Sequence, residues 1–202
     1  MTLVVLADIH ANYAALEAAS HRIDVLSPDG IILLGDYITD CPDPRRTLET
    51  LYALRKKYPV YMVRGNREEY LLGHRKALQE GKDDGWIPGS GTGALLYTYN
   101  ALTDADLDFL ESLPVSLDIS LPGCPPITAC HGSPFKAKDW IIGNDEKIRT
   151  AMKYASGDLV LCGHPRGHCG RKRRCQCRSA GRSDSGCVRC GHRRQAGCKA
   201  HC

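Results

Sequence analysis

Five short polar clusters punctuate this chain: Asp8-Ile9-His10, Gly35-Asp36, Gly65-Asn66-Arg67-Glu68, His131-Gly132 and Gly163-His164. Each follows an apolar run: LVVLA, IILL, VYMV, PITAC and DLVLC in turn. The polar residues therefore fall where a buried strand ends and a loop begins, the edge at which open α/β sheets bind ligands. Carboxylate, imidazole and amide groups gathered there are ligands for Mn, Fe or Zn. Carboxylates brought together without a cation would repel one another, so a metal centre accounts for the grouping better than loop capping does.

The elements that must position these groups are legible from periodicity. Residues 3–7, 31–34 and 59–63 read as buried strands, and helices are expected over about 14–23 and 44–57, the second opened by Pro44. Asp8, Asp36 and Asn66 recur at about the length of one βαβ unit, which predicts parallel neighbouring strands with right-handed crossovers. Asp8 and His10 are expected to point the same way along an extended segment. Asn66 doubles as a candidate N-cap for a helix over 67–80. Helices are also predicted over 94–101, 104–112 (with Thr103 as N-cap) and 144–155, and strands over 115–121, 127–130 and 159–162. The Gly-rich stretch 85–93 is either a mobile flap or a plain linker. His21 and His74 fall on helices away from the clusters and receive no role.

Composition separates the chain into two regions. Residues 1–164 carry 16 Lys/Arg against 22 Asp/Glu, whereas residues 165–202 carry 11 Lys/Arg against Asp184 alone. Seven of the 11 cysteines crowd into that tail. The first region has the makeup of a reduced cytosolic enzyme with one sizeable core. MTLVVLADIH lacks a basic leader, and no apolar stretch approaches a membrane span, so a cytoplasmic location with no membrane contact is expected.

The ordered clusters resemble the calcineurin-like metallophosphoesterase family over residues 1–164, notably its small bacterial phosphodiesterases and dinucleoside-polyphosphate hydrolases. The resemblance implies a four-layer α/β/β/α sandwich and a pair of divalent metals (Mn, Fe, Zn or Ni, with Mn favoured). Asp8 and His10 would hold the first metal, Asp36 would bridge, and Asn66, His131 and His164 would hold the second. The implied activity is hydrolysis of a small phosphoester, as phosphatase or phosphodiesterase, by a hydroxide shared between the metals. Asn66, Arg67 and His131 are the implied catalytic residues, and Asn66, Arg67 and Arg64 the implied substrate contacts.

Two positions depart from the family pattern. Arg67 stands where many members place a histidine; arginine cannot act as a general acid but can clamp a phosphate oxygen. The family's final Gly-His-Thr-His appears here as Gly163-His164-Pro165-Arg166, so Arg166 replaces a ligand of the first metal, with His168 two residues late. Loss of one AC from a CACACC run would turn His-Thr-His into His-Pro-Arg, so the 165–202 tail is read first as out-of-frame sequence, which would leave the closing strands missing or altered. A disordered basic tail and a zinc module built from Cys175, Cys177, Cys187, Cys190, His192, Cys198, His201 and Cys202 are the rivals. Nucleic acid is a partner only if that tail is authentic. The alternative function is a weakly active or inactive scaffold of the same fold.

Overall fold

The computed structural model describes residues 1–141 and 143–164; the expectations for 165–202 lie outside the described residues. Three parallel strands, β1 (Leu3–Leu6), β2 (Gly30–Leu33) and β3 (Val60–Met62), form the first sheet in that order. The crossovers are helices α1 (Tyr13–Leu26) and α2 (Pro44–Lys57). After β3 come α3 (Asn66–Gln79), α4 (Gly93–Ala101) and α5 (Asp104–Ser112). The second sheet is β4 (Ser116–Ile119), β5 (Ile127–Cys130) and β6 (Leu159–Cys162), with α6 (Asp145–Tyr154) crossing between β5 and β6. β4 runs antiparallel to β5, and β6 runs parallel to it.

Strand alternation builds the layers. Ile31 and Leu33 face one side of β2 and join a core with Leu16, Leu51, Leu71 and Leu110 from helices α1, α2, α3 and α5. Ile32 and Leu34 face the other side and pack with Ile119, Ile127, Ala129 and Leu161 of the second sheet. The central strand is thus apolar on both faces, as a buried parallel strand must be. Helices therefore cover one face of the first sheet, and the two sheets pack face to face.

Local signals fix the helix ends. Pro44 opens α2, where its missing N–H costs nothing. Thr103 and Asp106 form a reciprocal capping box at α5: Thr103 Oγ1 accepts from Asp106 N, and Asp106 Oδ2 accepts from Thr103 N. Among the described residues no helix is long and apolar enough to cross a membrane.

Two local expectations change. The segment after β1 is not extended: Asp8, His10 and Ala11 all lie in the left-handed region, with φ of 55°, 51° and 57°. The ladder to the neighbouring loop persists through this distortion, because His10 N donates to the Asp36 carbonyl and Ala11 N to the Tyr37 carbonyl. Asn66 is the first residue of α3 and Gly65 is the N-cap, which releases the Asn66 side chain from capping.

Candidate metal centre

The ends of β1, β2, β5 and β6 and the start of α3 deliver their polar residues to one place. Two groups of donor atoms form there, each within 4.8 Å: Asp8, His10 and Asp36, and Asp36, His131 and His164. Asp36 belongs to both. Its Oδ2 lies 3.3 Å from His131 Nε2 and 3.8 Å from His10 Nε2, the placement a bridging carboxylate needs. Its Oδ1 accepts from Arg67 N at 2.9 Å, which fixes the carboxylate plane.

His131 is fully buried and its tautomer is set by a backbone group. Nδ1 is 2.6 Å from the Leu34 carbonyl, which can only accept, so Nδ1 carries the proton. Nε2 then presents its lone pair 3.1 Å from Asn66 Oδ1 and 3.0 Å from His164 Nδ1. On the other side, His10 Nε2 faces Asp8 Oδ1 at 3.7 Å, and Asp8 Oδ1 is buried without a hydrogen-bond partner. Lone pairs converging in a buried space call for a cation. Imidazole nitrogens, carboxylates and an amide oxygen together fit divalent transition metals. The residues present therefore suit a metal pair, with Asp8, His10 and Asp36 on one side and Asp36, Asn66, His131 and His164 on the other.

The electrostatics agree. Burial pushes the Asp36 carboxyl up, but the hydrogen bond and charge of His131 and the Arg67 N–H outweigh it and hold it below the usual range. Burial pushes His131 down, yet Asp36 and the Leu34 carbonyl leave it above its usual value. Protons compete for the atoms a metal would take.

Glu68 supports the centre from beneath. Its buried carboxylate accepts from Asp36 N at 2.9 Å, Gly65 N at 2.7 Å and Tyr37 N at 2.9 Å. Burial and the charge of Asp36 push it up to about 7, against the pull of those three N–H groups. The fit tolerates no side chain at two glycines. Gly35 has φ +86°, and a Cβ there would sit 2.5 Å from Gly65 N. A Cβ on Gly65 would overlap Asp36 Oδ1 and Asp36 N.

Of the residues expected from sequence, Asp8, His10, Asp36, Asn66, His131 and His164 come together. Arg67 lies at the rim, its guanidinium 3.1 Å from Asp40 Oδ2. Arg64 turns away: its Nη1 donates to the Glu111 carbonyl, its Nε lies 3.9 Å from Glu69, and it lines a separate cleft of about 600 Å³ with Arg75 and Glu111. The Gly-rich stretch is anchored at its start, where Trp86 stacks on His74 at 4.1 Å and Asp84 pairs with His74 at 2.7 Å. His74 thus acquires a packing role. Asp40, which contacts both His10 and Arg67, belongs to none of the five clusters and carries no signal in the sequence.

A family model described as calcineurin-like phosphoesterase matches residues 1–164. An uncharacterised protein of Methanocaldococcus jannaschii is 27% identical over 162 residues, which are 80% of this chain and 61% of that protein. The chain therefore spans about six tenths of the length of this curated relative. Among solved structures, a metallophosphoesterase from Sphaerobacter thermophilus is 28% identical with a TM-score of 0.60, covering 81% of this chain and 60% of that one. A hypothetical protein from Pyrococcus horikoshii shares the fold, at 24% identity and a TM-score of 0.66, covering 80% and 68%.

Proposed function

The chain belongs to the calcineurin-like phosphoesterase family, and from that premise we propose that it is a metal-dependent hydrolase of small phosphoesters, acting as phosphatase or phosphodiesterase. The observation that carries this is Asp36 Oδ2 facing His10 Nε2 on one side and His131 Nε2 on the other, with carboxylate and imidazole donor atoms converging around it. When bound, a metal pair supplies Lewis acidity to the phosphoryl oxygens and acidifies water enough to give a nucleophile near neutral pH. Manganese is the favoured ion.

The protein's own part is positioning. Leu34 O holds the His131 ring in the tautomer that leaves Nε2 free to bind. Asn66 turns Oδ1 into the donor cluster, which leaves its NH2 as a donor for a phosphoryl oxygen. Arg67, at the rim, is the side chain that clamps the phosphate, since its planar fork matches two phosphate oxygens. No side chain in this arrangement is suited to protonate a leaving group at the Arg67 position, which favours esters with good leaving groups or diesters.

The test is hydrolysis of bis-p-nitrophenyl phosphate and p-nitrophenyl phosphate by the full chain before and after chelation. Turnover lost on chelation and restored by Mn²⁺ is expected; turnover unchanged by chelation contradicts the proposal. A weakly active or inactive scaffold is the second reading, and Arg166, standing where the family pattern places a histidine ligand, is what favours it. Metal-loaded protein that turns over neither ester would select it.

A further inference from the structure

Asp40 stands outside every recognised cluster, yet the loop that holds it is built against the conformational preferences of its residues. Thr39 and Asp40 have φ of 86° and 71°, left-handed values rare for non-glycine residues and rarest for a β-branched one. Thr39 is also fully buried with its Oγ1 unpartnered. Strain of this kind persists where the surrounding structure holds it in place, and it clusters at functional sites.

The conformation delivers one oxygen to two places. Asp40 Oδ2 lies 3.1 Å from His10 Nδ1 and 3.1 Å from Arg67 Nη2. The Asp40 carboxylate can only accept from His10, so Nδ1 carries the proton and Nε2 is left as the lone pair facing Asp8 and Asp36. Metal-binding histidines commonly have their other nitrogen fixed by a carboxylate in this way, which orients the ring and raises its basicity. The same oxygen restrains the guanidinium proposed to clamp phosphate. Cys41 N also donates to the His10 carbonyl, so backbone and side chain of this loop grip the same residue.

We infer that Asp40 is the positioning residue of the first metal site, orienting His10 for metal while setting the resting place of Arg67 through a single shared oxygen. This rests on the metal-centre reading proposed above. The two metal sites should then respond differently to its loss, because His131 is oriented by the Leu34 carbonyl and not by Asp40.

The experiment is Mn²⁺ titration of the chelated full chain by calorimetry, for wild type, Asp40→Ala and Asp40→Asn. Asp40→Ala should weaken one of two sites by roughly 10–100-fold and leave the other within about threefold. Asp40→Asn keeps an acceptor for His10 Nδ1–H and should restore the weakened site to within about tenfold of wild type. If Asp40→Ala does not fold, Asp40→Asn alone decides: it should retain two sites, with inorganic phosphate binding the loaded protein more tightly because Arg67 has lost its competing anion. Two Mn²⁺ bound with wild-type affinities by Asp40→Ala, or equal losses at both sites, would overturn the inference while leaving the metal centre intact. A wild-type chain that binds no Mn²⁺ would overturn both.

Discussion

Gly65→Ala is the smallest change that should break the centre, and its size follows from the packing. Gly65 has no unusual backbone angle, with φ of −96°, so the issue is space alone. The added methyl would overlap Asp36 Oδ1 and Asp36 N and lie 3.0 Å from Asp36 Cγ. Asp36 cannot yield cheaply, because Oδ1 accepts from Arg67 N and its own N donates to Glu68. Overpacking of this kind costs about 1–3 kcal/mol, and two strained or lost hydrogen bonds add roughly 1 kcal/mol each. For a domain of this size each kcal/mol moves Tm by roughly 2–4 °C, so the variant should melt about 6–20 °C below wild type. Thermal unfolding followed by circular dichroism, with and without Mn²⁺, separates the fold from the site. Wild type at a hundredfold excess of Mn²⁺ over Kd gains about 2.7 kcal/mol, whereas Gly65→Ala, with its bridging carboxylate displaced, should gain little. A variant that melts within about 2 °C of wild type and is stabilised equally by Mn²⁺ would mean that Gly65 is not packed against Asp36 in this way.

Three further outcomes follow from the same structure. Mn²⁺ affinity should rise with pH through and above 6.5, and binding near neutral pH should release protons, measurable by calorimetry in buffers of different ionisation enthalpy. The sign is fixed by His131: its raised value means the metal-free fold gains stability from the protonated ring fully below 6.5, and loses it as pH climbs through the folded-state value. Metal needs the deprotonated ring, so affinity that is flat or falling with pH contradicts the assignment. Arg67→Ala should raise KM for a phosphodiester with little change in metal stoichiometry; an unchanged KM removes Arg67 from substrate contact. Leu71→Ala, at a fully buried position in the helical core, should cost about 2–5 kcal/mol in chemical denaturation, and a loss below 1 kcal/mol would mean that α3 is not packed as described.

Much of the scaffold is legible in the sequence because its signals are local. Helix α2 begins at Pro44 and α5 at its Thr103–Asp106 box, and both match the expected spans residue for residue. The strands β5 and β6 likewise coincide with the apolar runs that precede His131 and Gly163. The donors gathered at the centre follow from strand ends sharing one edge. What the sequence does not reveal depends on tertiary contact. The left-handed turns at Asp8 and His10 accompany the hydrogen bonds that join the loops after β1 and β2, and no glycine there announces a positive φ. Asp40 reaches His10 across a gap of thirty positions through a strained backbone. Arg64 has the motif position of a phosphate contact, but its side chain is drawn off by Glu69 and the end of α5. The stack of Trp86 on His74 joins a glycine-rich loop to a helix that lack any shared pattern.

A metal pair bridged by Asp36 requires two ions per chain, so bound metal is the quantity to count. Wild type and Asp36→Asn would each be loaded with Mn²⁺, freed of excess, and measured for bound metal and for hydrolysis of bis-p-nitrophenyl phosphate. Two Mn²⁺ per wild-type chain, with at most one and no turnover in Asp36→Asn, is the predicted result. A variant that keeps two metals and turns over like wild type would mean that Asp36 does not bridge a metal pair.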